Sequence, residues 1–486
     1  MTINPGIIRA DYAVRGTLAR LAEEIREEIA SGNYKYPFQK VVSANLGNPQ
    51  GCGQLPITFP RQVLSLMEYP TLLESKISDV EKLFPSDAIA RARWLIKHIG
   101  SIGAYSSNQG IKQIRESIAE FITLRDGHPS FADDIYLTCG AFEGMLITLM
   151  MISGGNLRGE KTGVLLPVPY YPVYLALLSL FDLENVPYYL EEENEWGAPS
   201  ASHTRSLLHS VRERGIRPRL IVVINPNNPT GATLKRSQIE DILRLAAEEK
   251  LLILADEVYQ SNVFPPSEYI SCKSVLRDLQ ATDPSDSGIA SLQLVSLHSV
   301  SKGMYGEGGQ RGGYFEAVGF PEDIKFQLTK LVTFTLQPTM PGQILVECMV
   351  NPPKPCDASY NCHRRENDAV FAALKSKADA LFAAFNRMPG AVCQRPQGAM
   401  YLFPRINLPA RAVQAARKTG EKPDVWYCMK LLQATGVCVV PGSGFGMGER
   451  NENEQAIWFR VTFLAQGEDW IRRIEDFQKR FMEEYA

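Results

Sequence analysis

Several features that would indicate nucleic acid, a membrane or secretion are missing from this sequence. The 486 residues carry a formal net charge of -3, so no basic excess favours nucleic acid or an anionic membrane as a partner. No apolar run approaches the roughly 20 residues that span a bilayer. The first residues lack the apolar core of a secretory signal, and the C-terminal FMEEYA is not a peroxisomal signal. Acidic Asp11, Glu23 and Glu24 count against a mitochondrial presequence, so we expect a cytoplasmic protein, with the mitochondrion as the alternative.

Metal-binding cysteine patterns are also missing. The nine cysteines are scattered along the chain, no Cys-x-x-Cys pair occurs, and the histidines do not cluster with them. This distribution is typical of reduced thiols in a cytosolic protein. We therefore expect no metal site.

The length and the order of apolar segments predict a two-lobed α/β protein. The chain is too long for one ordinary hydrophobic core. Short unbroken apolar runs predict strands buried on both faces, at residues 163–166, 220–224, 251–255 and 293–297. A helix is predicted between the second and third runs, beginning at the capping-box pattern Ser237-Gln238-Ile239-Glu240. Strand, helix and strand in this order favour a mostly parallel sheet between helices.

The pattern changes after Pro352-Pro353 and indicates a smaller α+β lobe. Its predicted elements are a helix over residues 363–388 and short strands near 399–403, 437–440 and 457–462. Elsewhere we predict an N-terminal helix carrying Leu18, Leu21, Ile25 and Ile29 that stops at Gly32, and surface loops at 283–288 and 449–455. The predicted domains are residues 1–100 (N-terminal arm and part of the small domain), 101–350 (large domain) and 351–486 (small domain).

Polar residues follow three of the predicted strands. These segments are Asn225–Gly231 (NPNNPTG), Asp256–Tyr259 (DEVY) and His298–Gly303 (HSVSKG). Ligands of parallel α/β sheets bind beyond the carboxyl ends of the strands, so these groups are expected in one crevice. Each segment alone has an ordinary explanation as a helix cap, a tight turn or a surface pair. The order and spacing of the three segments together are far more specific than any one segment, and they favour a functional site.

The combination resembles the class I/II aminotransferases of fold type I that use pyridoxal phosphate (PLP), and within them the alanine aminotransferase branch. The similar stretches cover nearly the whole chain and read DYAVRG, QLPITFPRQVL, GAYSSNQGI, NPNNPTG, LADEVYQ, SVSKGMYGEGGQRGGY, GAMYLFPR, VWYCMKLL and VVPGSGFG. The resemblance implies a large domain with a mostly parallel sheet, a smaller α+β domain, PLP as the cofactor, and amino acids and 2-oxo acids as substrates. It also implies a homodimer with shared active sites.

The same resemblance implies roles for residues around the cofactor ring. Lys302 would hold the cofactor and then carry a proton between the substrate α-carbon and the cofactor. Asp256 would pair with the pyridine nitrogen, and Tyr259 and Asn228 would hydrogen-bond the 3′-oxygen. Tyr171 would stack on the ring, with Tyr170 as the alternative for that role; a core tyrosine is the other explanation for Tyr171.

A second set of residues would hold the cofactor phosphate. Ser299, Ser301 and Arg311 fit the family pattern, and the amides of Ala141 and Phe142 would open a helix predicted at 141–152. Phe142 departs from the pattern, because the branch usually has serine there and a hydroxyl contact is therefore lost. Tyr105 resembles the tyrosine that reaches a phosphate across a dimer interface, although an ordinary interface tyrosine is the alternative.

The substrate carboxylate requires a planar two-pronged cation. Arg460 matches the carboxylate-binding arginine of the small lobe, with Gly47, Asn48 and Asn228 expected beside it. His298 and Arg405 are interpreted as structural residues.

The predicted activity is ping-pong transfer of the amino group from L-alanine to 2-oxoglutarate, giving pyruvate and L-glutamate. A glutamate–glyoxylate or broader aminotransferase is the alternative with the same fold. A PLP lyase of the aminocyclopropane-carboxylate synthase type and a non-catalytic PLP-binding regulator are weaker alternatives. Retention of Lys302, Asp256, Tyr259, Arg311 and Arg460 favours an enzyme.

Overall fold

A computed structural model describes residues 3–10, 16–32, 35–74, 77–154, 160–449, 455–467 and 469–486. Residues 11–15 of the stretch DYAVRG and most of the predicted loop at 449–455 lie outside these residues. All nine cysteines are described, and none of them forms a disulfide. Within the described ranges, no helix is both long and apolar enough to cross a membrane.

The strands are β1 (Val42–Ser43), β2 (Ile135–Thr138), β3 (Lys161–Val168), β4 (Glu184–Tyr189), β5 (Ile216–Ile224), β6 (Leu252–Asp256), β7 (Leu294–Ser299), β8 (Gly313–Val318), β9 (Ala391–Val392), β10 (Tyr401–Leu402), β11 (Arg405–Asn407), β12 (Val437–Cys438), β13 (Val440–Pro441) and β14 (Ala456–Thr462). The helices are α1 (Pro5–Arg9), α2 (Thr17–Ala30), α3 (Thr58–Glu68), α4 (Thr71–Glu74), α5 (Ile77–Val80), α6 (Ser86–Ile99), α7 (Lys112–Asp126), α8 (Ala141–Ile152), α9 (Val173–Leu180), α10 (Ala201–Glu213), α11 (Arg236–Glu249), α12 (Cys272–Thr282), α13 (Ser287–Ala290), α14 (Glu322–Thr333), α15 (Met340–Val350), α16 (Tyr360–Phe385), α17 (Ala410–Thr419), α18 (Pro423–Thr435) and α19 (Asp469–Tyr485).

The larger sheet has seven strands in the order β2-β8-β7-β6-β5-β3-β4. The strands β4, β3, β5, β6 and β7 pair in parallel, and β8 is antiparallel to both of its neighbours. The four apolar runs identified in the sequence correspond to β3, β5, β6 and β7, which are adjacent in this sheet. The prediction of a mostly parallel α/β sheet is therefore confirmed.

Helices pack on the sheet, which explains the continuous apolar runs in its central strands. Helix α8 packs on β7 and β8, and α10 packs on β5. At Gly144, a Cβ atom would lie 2.6 Å from the Cδ2 atom of Leu297 on β7, so glycine permits this close approach of helix and sheet. Burial of both faces favours continuous Val, Ile and Leu runs over alternation.

Two local predictions need correction. Helix α11 begins at Arg236, one residue before the predicted cap, and the Gln238 side chain accepts a hydrogen bond from the Lys235 backbone amide at 2.9 Å. Gln238 therefore supplies the return contact that the sequence had assigned to Glu240. The predicted loop at 283–288 runs into α13, because the Asp286 carboxylate caps the amides of Gly288 and Ile289.

A smaller antiparallel sheet has the order β10-β14-β11-β9, and β13 also pairs with β14. Helix α16 both begins and ends three residues earlier than predicted, at Tyr360 and Phe385. The parallel pair β1–β12 joins the N-terminal segment to this region, and α2 packs on α18. In contrast, α3 and α6 share an apolar cluster with α7 and α15. The domain limits at residues 100 and 350 stay a prediction.

Candidate active site

A cavity of about 500 Å³ opens at the carboxyl ends of β6 and β7, where the sequence predicted the crevice. It brings together nearly every predicted site residue. Its walls include Gly47, Asn48, Ala141, Phe142, Tyr171, Asn228, Asp256, Tyr259, Ser299, Ser301, Lys302, Arg311 and Arg460. A second cavity, of about 550 Å³ between residues 49–58 and α16, shares only Pro49 with it and has mostly apolar walls.

Asp256 ends strand β6 at the floor of the cavity and is buried. Its Oδ2 atom accepts a hydrogen bond from the Tyr174 hydroxyl at 3.0 Å, whereas Oδ1 is buried without a hydrogen-bond partner among the described residues. Burial raises the pKa of Asp256 to about 6, although the contact with Tyr174 acts in the opposite direction. One carboxylate oxygen is therefore available to a cationic or N–H donor in the cavity.

Lys302 lies in the turn after β7, on the wall of the same cavity. Its Nζ donates a hydrogen bond to the backbone carbonyl of Gly47 at 2.5 Å. This contact brings the N-terminal segment 45–49 directly over the large sheet. A primary amine and an unpaired carboxylate oxygen thus face one space.

Arg460 sits on β14 and is almost fully buried, with 2% of its surface exposed. Its Nη1 donates to Asn228 Oδ1 at 3.0 Å, and its Nη2 donates to the Asn45 carbonyl at 2.5 Å. The guanidinium carbon lies 4.3 Å from the ring centroid of Tyr401 and 5.2 Å from that of Phe445. Aromatic rings and two hydrogen bonds fix the plane of this cation, as recognition of a carboxylate requires.

Tyr259 and Tyr401 meet above the cavity floor. The Tyr259 hydroxyl donates to the Tyr401 hydroxyl oxygen at 3.2 Å, and both side chains are buried. Sequence reasoning placed Tyr259 here but missed Tyr401 and Tyr174. The signal for Tyr401 was its place in the GAMYLFPR stretch, whereas nothing in the local sequence distinguishes Tyr174 from a core tyrosine.

The other end of the cavity is open and carries hydroxyl groups and a cation. Ser299 is buried at the end of β7, while Arg311 is exposed and has a positive φ of 59°. Arg311 donates to the carbonyls of Gly308 and Cys139, both at 2.8 Å. A Cβ atom at Gly140 would lie 2.9 Å from Arg311 Nη2, so glycine before α8 leaves room for this guanidinium.

Helix α8 begins at Ala141, as predicted, so its first amides face the same end of the cavity. Phe142 lies at the rim with 43% of its surface exposed. Tyr171 lies in the cavity wall, and Tyr170 is buried, with its amide donating to the Phe445 carbonyl at 3.2 Å. Tyr105 is 84% exposed and lies outside the cavity of its own chain.

His298 and Arg405 lie outside the cavity lining. Burial lowers the pKa of His298 to about 3, so its ring is neutral at physiological pH; it packs edge-on against Tyr314. Arg405 donates to Glu192 Oε2 at 3.2 Å. These contacts support the structural interpretation of both residues.

The cavity fits pyridoxal phosphate. The unpaired Asp256 Oδ1 matches a protonated pyridine nitrogen, Lys302 matches the carbonyl carbon, and the exposed Arg311 with Ser299 and Ser301 matches a phosphate. The donors, acceptors and charges therefore complement the three polar ends of one molecule.

The family model "Aminotransferase class I and II" matches residues 72–470. The chain belongs to this family. Its fold is that of the fold-type-I aminotransferases, and membership implies pyridoxal phosphate as the cofactor and amino acids and 2-oxo acids as substrates.

Three relatives match along almost the whole chain. The mitochondrial alanine aminotransferase of Saccharomyces cerevisiae is 44% identical over 99% of this chain and 80% of its own length. A protein of the same yeast named inactive alanine aminotransferase is 42% identical over 99% of this chain and 94% of its own length. Glutamate–glyoxylate aminotransferase 2 of Arabidopsis thaliana is 41% identical over 100% of this chain and 96% of its own length.

Proposed function

We propose that this protein is an alanine aminotransferase, which reversibly transfers the amino group of L-alanine to 2-oxoglutarate to give pyruvate and L-glutamate. The observation that carries the proposal is the joint presence of Lys302, the half-unpaired Asp256 carboxylate and the buried Arg460 in one cavity. The similarity to a named alanine aminotransferase over 99% of the chain supports the choice of alanine.

Lys302 is proposed to hold the cofactor and to move the reacting proton. When bound, pyridoxal phosphate supplies an electron sink for the negative charge that develops on the substrate α-carbon. The Lys302 amine would carry the proton from that carbon to the C4′ atom of the cofactor. The Gly47 carbonyl, 2.5 Å from Nζ, holds the amine in the cavity between these tasks.

Asp256, Tyr259 and Asn228 are proposed to bind the edges of the cofactor ring. Asp256 Oδ1 accepts from the pyridine nitrogen, and the resulting ion pair keeps that nitrogen protonated. Tyr259 and Asn228 hydrogen-bond the 3′-oxygen, and Tyr171 stacks on the ring from the cavity wall. These contacts orient the ring and leave the Lys302 face open.

The open end of the cavity is proposed to bind the phosphate. Ser299 and Ser301 supply hydroxyl groups, Arg311 supplies the charge, and Ala141 and Phe142 supply amides at the start of α8. Arg460 is proposed to bind the substrate carboxylate, with Asn228 and the Gly47–Asn48 segment beside it. Closure of the small lobe over the substrate would exclude water from these contacts.

A homodimer with shared active sites is part of the proposal. Tyr105 is exposed and lies outside the lining of its own cavity, as expected of a residue that contacts the phosphate bound by a second copy. Mixing Tyr105→Ala with Lys302→Ala subunits tests this directly, because each mixed dimer then contains one site with both residues intact. On mixing, the intact site should bind the cofactor with wild-type affinity; a mixed dimer whose active site keeps the weakened cofactor affinity of Tyr105→Ala would contradict a shared site.

The half-reaction with alanine tests the activity. L-alanine alone should abolish the absorbance of the lysine-bound cofactor in purified holoenzyme, and 2-oxoglutarate should restore it. Two of the relatives define competing results. Reversal by glyoxylate and an amino donor other than alanine would favour the glutamate–glyoxylate activity, and no change with any amino acid would favour an inactive protein.

Location in the cytoplasm stays a prediction. The S. cerevisiae alanine aminotransferase at 44% identity is named mitochondrial, so the mitochondrion is the alternative. Fractionation of cells that express the complete gene distinguishes the two compartments.

A further inference from the structure

Tyr401 occupies a position in the cavity that the proposed mechanism leaves unassigned. It lies on β10 opposite Thr462 of β14, and Arg460 is two residues from Thr462 on the same face of that strand. Only 2% of the Tyr401 surface is exposed, yet the side chain forms part of the cavity wall. The Tyr401 side chain is therefore held in place by its surroundings and lines the site.

The ring of Tyr401 supports the carboxylate-binding arginine. The Arg460 guanidinium carbon lies 4.3 Å from the ring centroid, closer than its 5.2 Å distance from Phe445. A desolvated guanidinium gains from such a contact because the aromatic face carries negative charge density. The ring thereby restricts Arg460 to one plane while Asn228 and Asn45 hold two of its nitrogen atoms.

The hydroxyl of Tyr401 competes with the cofactor 3′-oxygen for the single hydroxyl proton of Tyr259. Tyr259 donates to it at 3.2 Å, and the two rings are nearly perpendicular at 84°. Burial raises the pKa of Tyr401, but the positive charges of Lys302 and Arg460 outweigh it and leave that pKa below its ordinary value. The pKa of Tyr259 is raised by burial and by Tyr401. In the geometry of this hydrogen bond, Tyr259 is the donor and Tyr401 the acceptor.

The same hydroxyl also packs against Gly47, the residue of the N-terminal segment that contacts Lys302. A Cβ atom at Gly47 would lie 1.8 Å from the Tyr401 Oη atom, so only glycine fits there. The carbonyl of this glycine accepts the hydrogen bond from Lys302 Nζ. Tyr401 thus contacts Arg460 and Tyr259 directly, and it packs against Gly47, whose carbonyl binds Lys302.

We propose that Tyr401 is a positioning residue whose ring orients Arg460 and whose hydroxyl shares the Tyr259 proton with the cofactor 3′-oxygen. This inference rests on the proposed function, because it assigns those two residues to the substrate carboxylate and the cofactor 3′-oxygen. The two contributions are separable by substitution, since phenylalanine removes only the hydroxyl and leucine also removes the aromatic face.

The test compares holoenzymes of Tyr401→Phe and Tyr401→Leu with a control, Tyr314→Phe. Tyr314 is a buried tyrosine outside the cavity whose hydroxyl has no hydrogen-bond partner among the described residues. Two quantities are measured: the pH midpoint of the lysine-bound cofactor absorbance, and the binding of a non-reacting carboxylate, propionate. KM and kcat for alanine are measured alongside.

In Tyr401→Phe, the pH midpoint should fall by roughly 0.5–1 unit, the equivalent of one hydrogen bond. Tyr259 then donates to the 3′-oxygen alone, which stabilises its negative charge and eases loss of the neighbouring proton. Propionate binding should stay within about twofold. In Tyr401→Leu, propionate binding and KM should also weaken about fivefold to thirtyfold, the range of a buried cation–π contact. The Tyr314→Phe control should match the wild type in both quantities.

Several outcomes overturn the inference. An unchanged midpoint in Tyr401→Phe would remove the hydroxyl's role, and a change in thermal stability alone would make Tyr401 an ordinary core residue. If Tyr401→Leu fails to fold, the phenylalanine variant still decides the hydroxyl's role. A midpoint that shifts in a protein that does not react with alanine would support the positioning role while the alanine assignment fails.

Discussion

The two ends of the cavity are built in opposite ways. At the carboxylate end, Arg460 is buried between two aromatic rings and hydrogen-bonded to residues from two distant segments. At the phosphate end, Arg311 is exposed and Phe142 presents aromatic surface to solvent. The described residues therefore bury the cation at the carboxylate end, whereas the cation at the phosphate end is open to solvent.

This difference between the two ends indicates which substitutions should reduce catalysis most. A buried, prearranged cation discriminates strongly because a misplaced or missing partner leaves desolvated charge unpaired. An exposed phosphate site uses several donors in parallel, and water screens each of them. Substitutions at the carboxylate end should therefore affect catalysis more than substitutions at the phosphate end.

Lys302 lies between the two ends, and its removal should have the largest effect. In Lys302→Ala, turnover should fall by at least about a thousandfold, since both the covalent attachment and the proton transfer are lost. The absorbance of lysine-bound cofactor should disappear. Steady-state kinetics and the absorbance spectrum measure both effects; turnover close to wild type would remove Lys302 from the mechanism.

Arg460→Ala should lower kcat/KM for alanine by roughly a hundredfold to a thousandfold, because two charge-assisted hydrogen bonds to the substrate are lost. Arg460→Lys is the matched variant: it keeps the charge but loses the planar fork, so it should recover only part of the activity. The cofactor absorbance should be largely kept in both. Unchanged substrate use in Arg460→Ala would assign the carboxylate to another residue.

Asp256 allows a test without bound cofactor. Its folded pKa of about 6 lies above its usual value near 3.8, so its contribution to stability is fully present below that lower pKa and is lost as pH rises through 6. The loss amounts to about 3 kcal/mol, and asparagine cannot ionise. Cofactor-free Asp256→Asn should therefore gain about that much stability relative to wild type between pH 4 and pH 7, measured by urea unfolding. An equal pH dependence in both proteins would show that the buried carboxyl does not titrate in this range.

Phe142→Ser should have the smallest effect. It restores the hydroxyl that the branch usually has near the phosphate, and one added hydrogen bond corresponds to about fivefold tighter cofactor binding. Phe326→Ser is a control because Phe326 is an exposed helical phenylalanine outside the cavity. Cofactor dissociation constants from dilution or dialysis measure the change; weaker binding in Phe142→Ser would mean that the aromatic ring itself contacts the cofactor.

The sequence predicted the features that depend on nearby residues. The four apolar runs placed β3, β5, β6 and β7 to within a few residues, and the helix after Gly140 begins where predicted. Motifs that follow these strands placed Asp256, Tyr259 and Lys302 in one cavity. Helix α11 begins one residue before the predicted cap, because the return contact comes from Gln238.

Residues joined by distant contacts could not be found in this way. Tyr174 contacts Asp256 across 82 residues of sequence, and Tyr401 contacts Tyr259 across 142. No local period or motif spacing encodes such a pairing, since each tyrosine alone reads as a core residue. Helix α9 and strand β10 have to be in place before these hydroxyl groups reach the cavity.

The sequence by itself determined the α/β class, the strand ends and the chemical identity of the groups that follow them, because burial and turn formation depend on nearby residues. Only the tertiary structure decided the state of those groups. The half-unpaired carboxylate of Asp256 and its raised pKa come from burial beside Tyr174. The fixed plane of Arg460 comes from Tyr401 and from Asn228, which lies 232 residues away in the chain. Charge and hydrogen bonding act through space, so the geometry of the site depends on which segments pack together.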